Sequence, residues 1–211
     1  MFAAPEGHPP AGNTFYRKHG HRGFSMIELM LVIVIGLIIA GMATPTLLTI
    51  KRNLRISGDA GDLNGEIALA KMRAASDFTK ARVYADLSAQ TFRIEVWNKS
   101  GAGSWGTEGG TQPLSPGVTW GFGTLSSPPS GTQATIGQAP ACLNNSGTAI
   151  ANTACIAFNS RGIPVDSTGT PTANDALYIT DGGLLFGVTV SATGLIQTWR
   201  SGTNAANWQK R

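Results

Sequence analysis

From Phe24 to Ala43 the chain runs for twenty residues with a single charged side chain, Glu28. At about 1.5 Å per residue a helix of that length is about 30 Å long, the thickness of a bilayer core, so the run predicts a transmembrane helix over 24–45. A carboxylate at that depth costs roughly 2.5–3.5 kcal/mol and requires a partner. If the chain is cut between Gly23 and Phe24, the new α-amino group lies one helical turn from Glu28, at a helix N-terminus whose dipole also favours an anion. The amine of a second, parallel helix can neutralise Glu28 equally well. An insertion cost then becomes a reason for helices to associate.

Two simpler readings cover the apolar run but not its charge. A plain membrane anchor fits the length. A secretory signal peptide fits Arg17, Lys18 and Arg22 as its basic segment and Gly41-Met42-Ala43 as its small-x-small cleavage site. Neither accounts for Glu28. The basic leader, Gly23, Phe24, Glu28 and the long apolar helix together resemble the class III signal of type IV pilins and type II secretion pseudopilins. The resemblance implies removal of residues 1–23 by a prepilin peptidase, N-methylation of Phe24, and a role for Glu28 in setting the register of subunits in a filament. It further implies a single-pass protein of the bacterial inner membrane, its head in the periplasm or in an extracellular filament. The implied partners are other pilin or pseudopilin subunits, the inner-membrane assembly platform and membrane lipid. Pro45, the twenty-second residue after the cut, shares the resemblance; a proline inside a helix removes a hydrogen bond and is expected to kink the rod.

Composition narrows the chemistry. The net charge of +4 is divided between a leader of three basic residues against Glu6 and a remainder of thirteen basic against eleven acidic, so the high pI is in part a leader property and weak evidence for nucleic-acid binding. Arg17, Lys18 and Arg22 before the apolar run are matched by Lys51, Arg52 and Arg55 after it, and the positive-inside rule alone does not orient the helix. All three histidines, His8, His19 and His21, lie in the leader. The processed chain therefore lacks the usual general base and the commonest metal ligand, so a Ser-His-Asp or Cys-His site is excluded and neither cofactor nor metal is expected. Gly101-Ala102-Gly103-Ser104-Trp105-Gly106 matches G-x-G-x-x-G, but no helix follows to present amides to a phosphate, and a glycine-rich surface loop is the better reading. Cys142 and Cys155 are the only cysteines. They either close a disulfide, worth about 3 kcal/mol for a loop of this size and implying an oxidising compartment, or remain two buried thiols.

Beyond Pro45 the pattern continues as an amphipathic helix over 46–81. Ile56, Ala60, Leu63, Ile67, Ala70, Ala74, Phe78 and Ala81 step by three and four. Gly58, Gly61 and Gly65 fall on one face and either permit close helix packing or mark a break. From Arg82 the period changes to two: Val83, Ala85, Leu87 and Phe92, Ile94, Val96 predict a β-hairpin turning around Ser88–Gln90. Residues 101–117 and 125–147 read as long loops around a short strand candidate, 118–122. Strands follow at 155–158, 176–180, 184–190 and 195–200, with turns at Asp181-Gly182-Gly183 and Ser191–Gly194.

The helix, the hairpin, Phe158–Gly162 and Gly194–Arg200 together resemble the GspH/FimT group of minor pseudopilins and minor pilins. The fold class is α+β: a long amino-terminal transmembrane and amphipathic helix packed on a small antiparallel β-rich head, 82–211. The implied function is assembly into a type II secretion pseudopilus or type IV pilus in support of secretion or pilus biogenesis, without catalysis. A second reading, a DNA-binding minor pilin for natural transformation, rests on Trp199, Arg200, Trp208, Lys210 and Arg211, since aromatics beside cations are what backbone-directed nucleic-acid binding uses. Gly194-Leu195-Ile196-Gln197 lacks the arginines that DNA-binding members of the group carry there. For the tail, a final strand with Trp199 on the sheet and a solvated end is the favoured reading, and nucleic acid is a partner not favoured.

Overall fold

The computed structural model describes residues 23–101, 103–172 and 175–211, the side chains of Pro45 and Thr46 excepted. The leader reading for residues 1–22, including Arg17, Lys18, Arg22 and the histidines, lies outside the described residues. The chain divides into two compact units, Met1–Pro45 and Thr46–Arg211. A single helix, α1, is assigned over Met26–Ser76 and passes through Pro45 without ending there.

Within the second unit, Ile56, Ala60, Leu63, Ile67, Ala70 and Ala74 are completely buried or nearly so. Their alternating steps of four and three keep one stripe on one side of α1. Each buried Ile or Leu contributes about 1.5–3 kcal/mol of transfer free energy, so this stripe is what holds helix to head. The helix ends at Ser76, earlier than the 46–81 boundary the periodicity suggested. Phe78 adopts the left-handed conformation (φ 49°). Its N–H donates to the Ala75 carbonyl while the N–H of Thr79 donates to Ala74. These are the two bonds of a Schellman motif, with a phenylalanine where glycine is usual. The Phe78 ring is therefore exposed instead of continuing the stripe, and Ala81 is buried as the first residue of a strand.

Among the described residues, ten strands form two antiparallel sheets. The first contains β1 (Ala81–Asp86), β2 (Thr91–Asn98), β3 (Ser104–Pro113), β5 (Thr153–Phe158) and β6 (Pro164–Val165), in the order β3-β2-β1-β5-β6. The second contains β4 (Thr119–Trp120), β7 (Asp175–Thr180), β8 (Leu184–Val190), β9 (Ile196–Gly202) and β10 (Gln209–Lys210), in the order β10-β9-β8-β7-β4. The β1–β2 hairpin forms as its alternation predicts, with Val83 opposite Ile94 and Ala85 opposite Phe92. Its turn is fixed by the Asp86 carboxylate, which accepts from the N–H groups of Ser88 and Ala89. The inner faces of both sheets and the α1 stripe make one core containing Phe92, Ile156, Phe158, Leu177, Ile179, Phe186 and Val188.

Two segments read as loops have definite structure. Residues 104–113 form β3, because β2 satisfies their backbone groups from Asn98 to Thr91 and Trp105 packs edge-on against Trp97, ring centroids 5.2 Å apart. The register skips between Phe92 and Ile94, which absorbs the surplus glycines as a bulge. Residues 125–147 remain irregular, and their first part, up to Ala139, packs on the second sheet. The Gln138 side chain accepts from Tyr178 N–H and donates to Tyr178 carbonyl, standing in for a neighbouring strand. Gln133 accepts the Tyr178 hydroxyl, and Ala139 N–H donates to Ala176. Leu125, Phe122, Ile136 and Trp208 close a smaller core over Ala176, Tyr178 and Leu185.

The Tyr178 ring lies where a Cβ on Gly187 would stand, 2.5 Å from its nearest ring carbon. Gly187→Ala should therefore destabilise the full chain by about 1–3 kcal/mol through overpacking. Gly61→Ala, which meets nothing within 4 Å in α1, should stabilise it by up to about 1 kcal/mol. Chemical denaturation in detergent, followed by tryptophan fluorescence, separates the two.

Candidate functional site

Gly23, Phe24 and Ser25 precede the helix in an irregular, exposed segment, and α1 starts at Met26. The Ser25 carbonyl accepts from the N–H groups of Glu28 and Leu29, closing the first turn. Ser25-Met26-Ile27-Glu28 thus has the S-x-x-E spacing of a capping box, a signal the emphasis on Glu28 had passed over. Glu28 is the acidic residue of that first turn and is exposed. Around it Met26, Ile27, Met30 and Leu31 are exposed as well, none of them less than 60% accessible. This is the one helix among the described residues long and apolar enough to cross a membrane. The site is thus an accessible segment followed by an apolar helical run with one acid in its positive end.

Gly162 and Gly194, which belong to the two head segments singled out in the sequence, meet on α1. A Cβ on Gly194 would stand 2.7 Å from the Gly162 carbonyl oxygen and 3.2 Å from Lys71 Nζ. Lys71 Nζ donates to the Gly194 carbonyl at 2.8 Å. Gly194 has φ 78°, and its lack of a side chain is what lets both turns close on the lysine. Asp59 adds a second tie, its carboxylate accepting from the N–H and hydroxyl of Ser115. These residues fasten the head to its helix.

The outer face of the first sheet carries a charge network that periodicity alone did not reveal. Arg82 and Glu95, 4% and 5% exposed, pair at 2.6 Å, and Arg93 joins the same carboxylate at 2.7 Å. Arg82 also donates to the Leu143 carbonyl and lies 3.9 Å over the Trp105 ring. Burial pushes the Arg82 guanidinium below its ordinary value while Glu95 opposes the shift. Cys142 and Cys155 are bonded as a disulfide, with Cα atoms 4.9 Å apart, which ties the 139–147 segment to β5. Among the described residues no group of three or more His, Cys, Asp or Glu side chains is placed to hold a metal ion.

The carboxy-terminal cations are separated. Lys210 pairs in register with Trp199, and Gln209 with Arg200. Side chains in register share a face, so Arg200 and Lys210 project from opposite sides of the sheet. Both tryptophans are engaged: Trp199 Nε1 donates to Thr189 and Trp208 Nε1 to the Ser127 carbonyl, with the Trp208 ring 5.9 Å from Tyr178. The tail is therefore a short paired strand latched by Trp208, with Gln209, Lys210 and Arg211 exposed to solvent.

Residues 18–44 match the family model described as the prokaryotic N-terminal methylation motif. The match takes in Gly23, Phe24 and Glu28 and ends at Thr44, before the head. Among solved structures the chain is similar to the minor pseudopilin EpsH from the type 2 secretion system of Vibrio cholerae, at 12% identity and TM-score 0.43, over 72% of this chain and 99% of that one. No curated protein matches the chain.

The buried network makes a quantitative demand. Glu95→Ala leaves two arginines without their carboxylate and should cost about 3–5 kcal/mol of stability. Replacing Arg82, Glu95 and Arg93 together with apolar residues should cost distinctly less, which equilibrium unfolding of both variants will measure.

Proposed function

We propose that the chain is a minor pilin or pseudopilin, cut between Gly23 and Phe24, methylated on Phe24, and assembled through α1 into a filament that supports protein secretion or pilus biogenesis. The observation that carries this reading is the coincidence of the methylation motif over 18–44 with an exposed apolar run at the start of α1 whose single acid, Glu28, lies in the first turn. In the filament Glu28 accepts a charge-assisted hydrogen bond from a neighbour's α-amino group, removing the cost of a lone carboxylate in the membrane. Pro45 supplies a point where the helix bends on packing.

The exposed face of α1 suits such packing. Leu54, Gly58, Gly61, Gly65 and Met72 lie along it, opposite the buried stripe, and a Cβ on any of the three glycines meets nothing within this chain. Small residues let helix backbones approach closely in lipid. The head then serves as the variable, exported part of the subunit.

Mass spectrometry of the membrane-extracted protein should show a chain beginning at methylated Phe24; an intact leader, or a start at Thr44, overturns the reading. Glu28→Ala should leave insertion and cleavage intact yet reduce recovery in sheared filaments by at least about tenfold, as expected for a lost pairing worth about 1.5–3 kcal/mol. Normal incorporation counts against the pairing.

DNA binding is the contrasting outcome. The intact protein in detergent should show no salt-dependent retention of double-stranded DNA, since its terminal cations occupy opposite faces and its tryptophans are engaged. Tight retention, lost on combining Arg200→Ala with removal of residues 208–211, would favour the competence reading.

A further inference from the structure

The outer face of the first sheet holds a cavity of about 370 Å³ that neither helix assembly nor membrane anchoring uses. It crosses the strands from Trp105 on β3 and Trp97 on β2, past Arg82 on β1 and Ala157 on β5, to Val165 on β6. Four strand spacings of about 4.8 Å make it a trough roughly 19 Å long. Its floor is apolar, built from the Cys142–Cys155 disulfide, Ala157 and Val165, and the 140–145 segment forms a wall.

The two ends differ in charge. Lys80, exposed, stands at the aromatic end. Arg82 is already neutralised by Glu95 and adds little free charge. At the far end lie Asp166 and Asp175. The Asp166 carboxylate accepts from the Thr168 hydroxyl and from the N–H groups of Thr170 and Thr168, which lower its pKa. Asp175 is only 8% exposed, yet among the described residues its carboxylate receives a side-chain hydrogen bond from the Thr172 hydroxyl alone, at 3.0 Å, and forms no ion pair. Burial and the nearby Asp166 both raise its pKa. A buried carboxylate that faces an open cavity without a cation is costly, and a ligand that brings the cation relieves the cost.

We infer that this trough docks an extended peptide segment of a partner protein, placing a lysine or arginine side chain on Asp175, apolar side chains on the disulfide floor, and a carbonyl or carboxylate against Lys80. The length favours a peptide over a small amine, since an extended chain spans about 3.3 Å per residue and five or six residues fill roughly 19 Å. The inference does not rest on the filament reading, because none of these residues belongs to α1.

Calorimetric titration of the full chain in detergent, with the acetylated and amidated pentapeptide Leu-Phe-Lys-Leu-Ala as probe, tests it. Saturable binding is expected, weakened about thirtyfold or more when the peptide lysine is replaced by glutamate and by a similar factor in Asp175→Asn. Ala157→Phe, which fills the trough from a partly exposed position on β5, should abolish binding. The peptide exchange requires no variant, so a folding failure of Asp175→Asn leaves the test intact. Equal binding of the lysine and glutamate peptides, retained binding in Ala157→Phe, binding of n-butylamine as tight as that of the peptide, or no saturable binding up to millimolar peptide would each overturn the proposal.

Discussion

The head depends on one stripe of α1. Ile56, Ala60, Leu63, Ile67, Ala70 and Ala74 are the surface on which both sheets close, and every large inward side chain of the sheets joins the same core. The small residues matter as much as the large ones. Three alanines in six positions bring the helix backbone close to β-branched and aromatic side chains on the sheets, so shape at the contact is set by the strands. Polar ties at Asp59, Lys71 and Arg52 then fix the helix along and around its axis, because each joins a different loop to it.

The division of labour within α1 follows from the same stripe. The amino-terminal part has apolar side chains all round and buries none of them, whereas the later part has one committed face and one uncommitted face lined by glycine. An all-round apolar helix suits lipid or a helical bundle, and a two-faced helix suits a boundary between head and neighbours. One element therefore changes solvent along its length without changing secondary structure.

Much of this was legible in the residues. Helical periodicity identified the buried stripe, and period-two alternation located the hairpin and the three central strands of the second sheet. The failures have physical causes. Phe78 at a position that favours glycine hid the helix end, because the Schellman bonds come from Phe78 and Thr79 backbone groups that any residue carries. Strand β3 has little intrinsic β-propensity and exists because Trp105 and Glu108 find Trp97 and Arg73. Gln138, an ordinary loop residue in sequence, acts as part of a strand edge only because Tyr178 stands beside it. At the amino terminus the opposite holds: the methylation motif over 18–44, which contains Gly23, Phe24 and Glu28, is local in sequence. The charge network of Arg82, Glu95 and Arg93 joins two strands and a distant loop, so no local pattern announces it.

The Cys142–Cys155 bond does more than staple a loop. It forms part of the trough floor and anchors the segment that makes its wall, so the bond helps to hold the recess in shape. Thiols stay reduced in a cytosolic redox poise and join only in an oxidising one. The recess is thus tied to redox state: a chain held under reducing conditions lacks the bond that pins the wall to the floor.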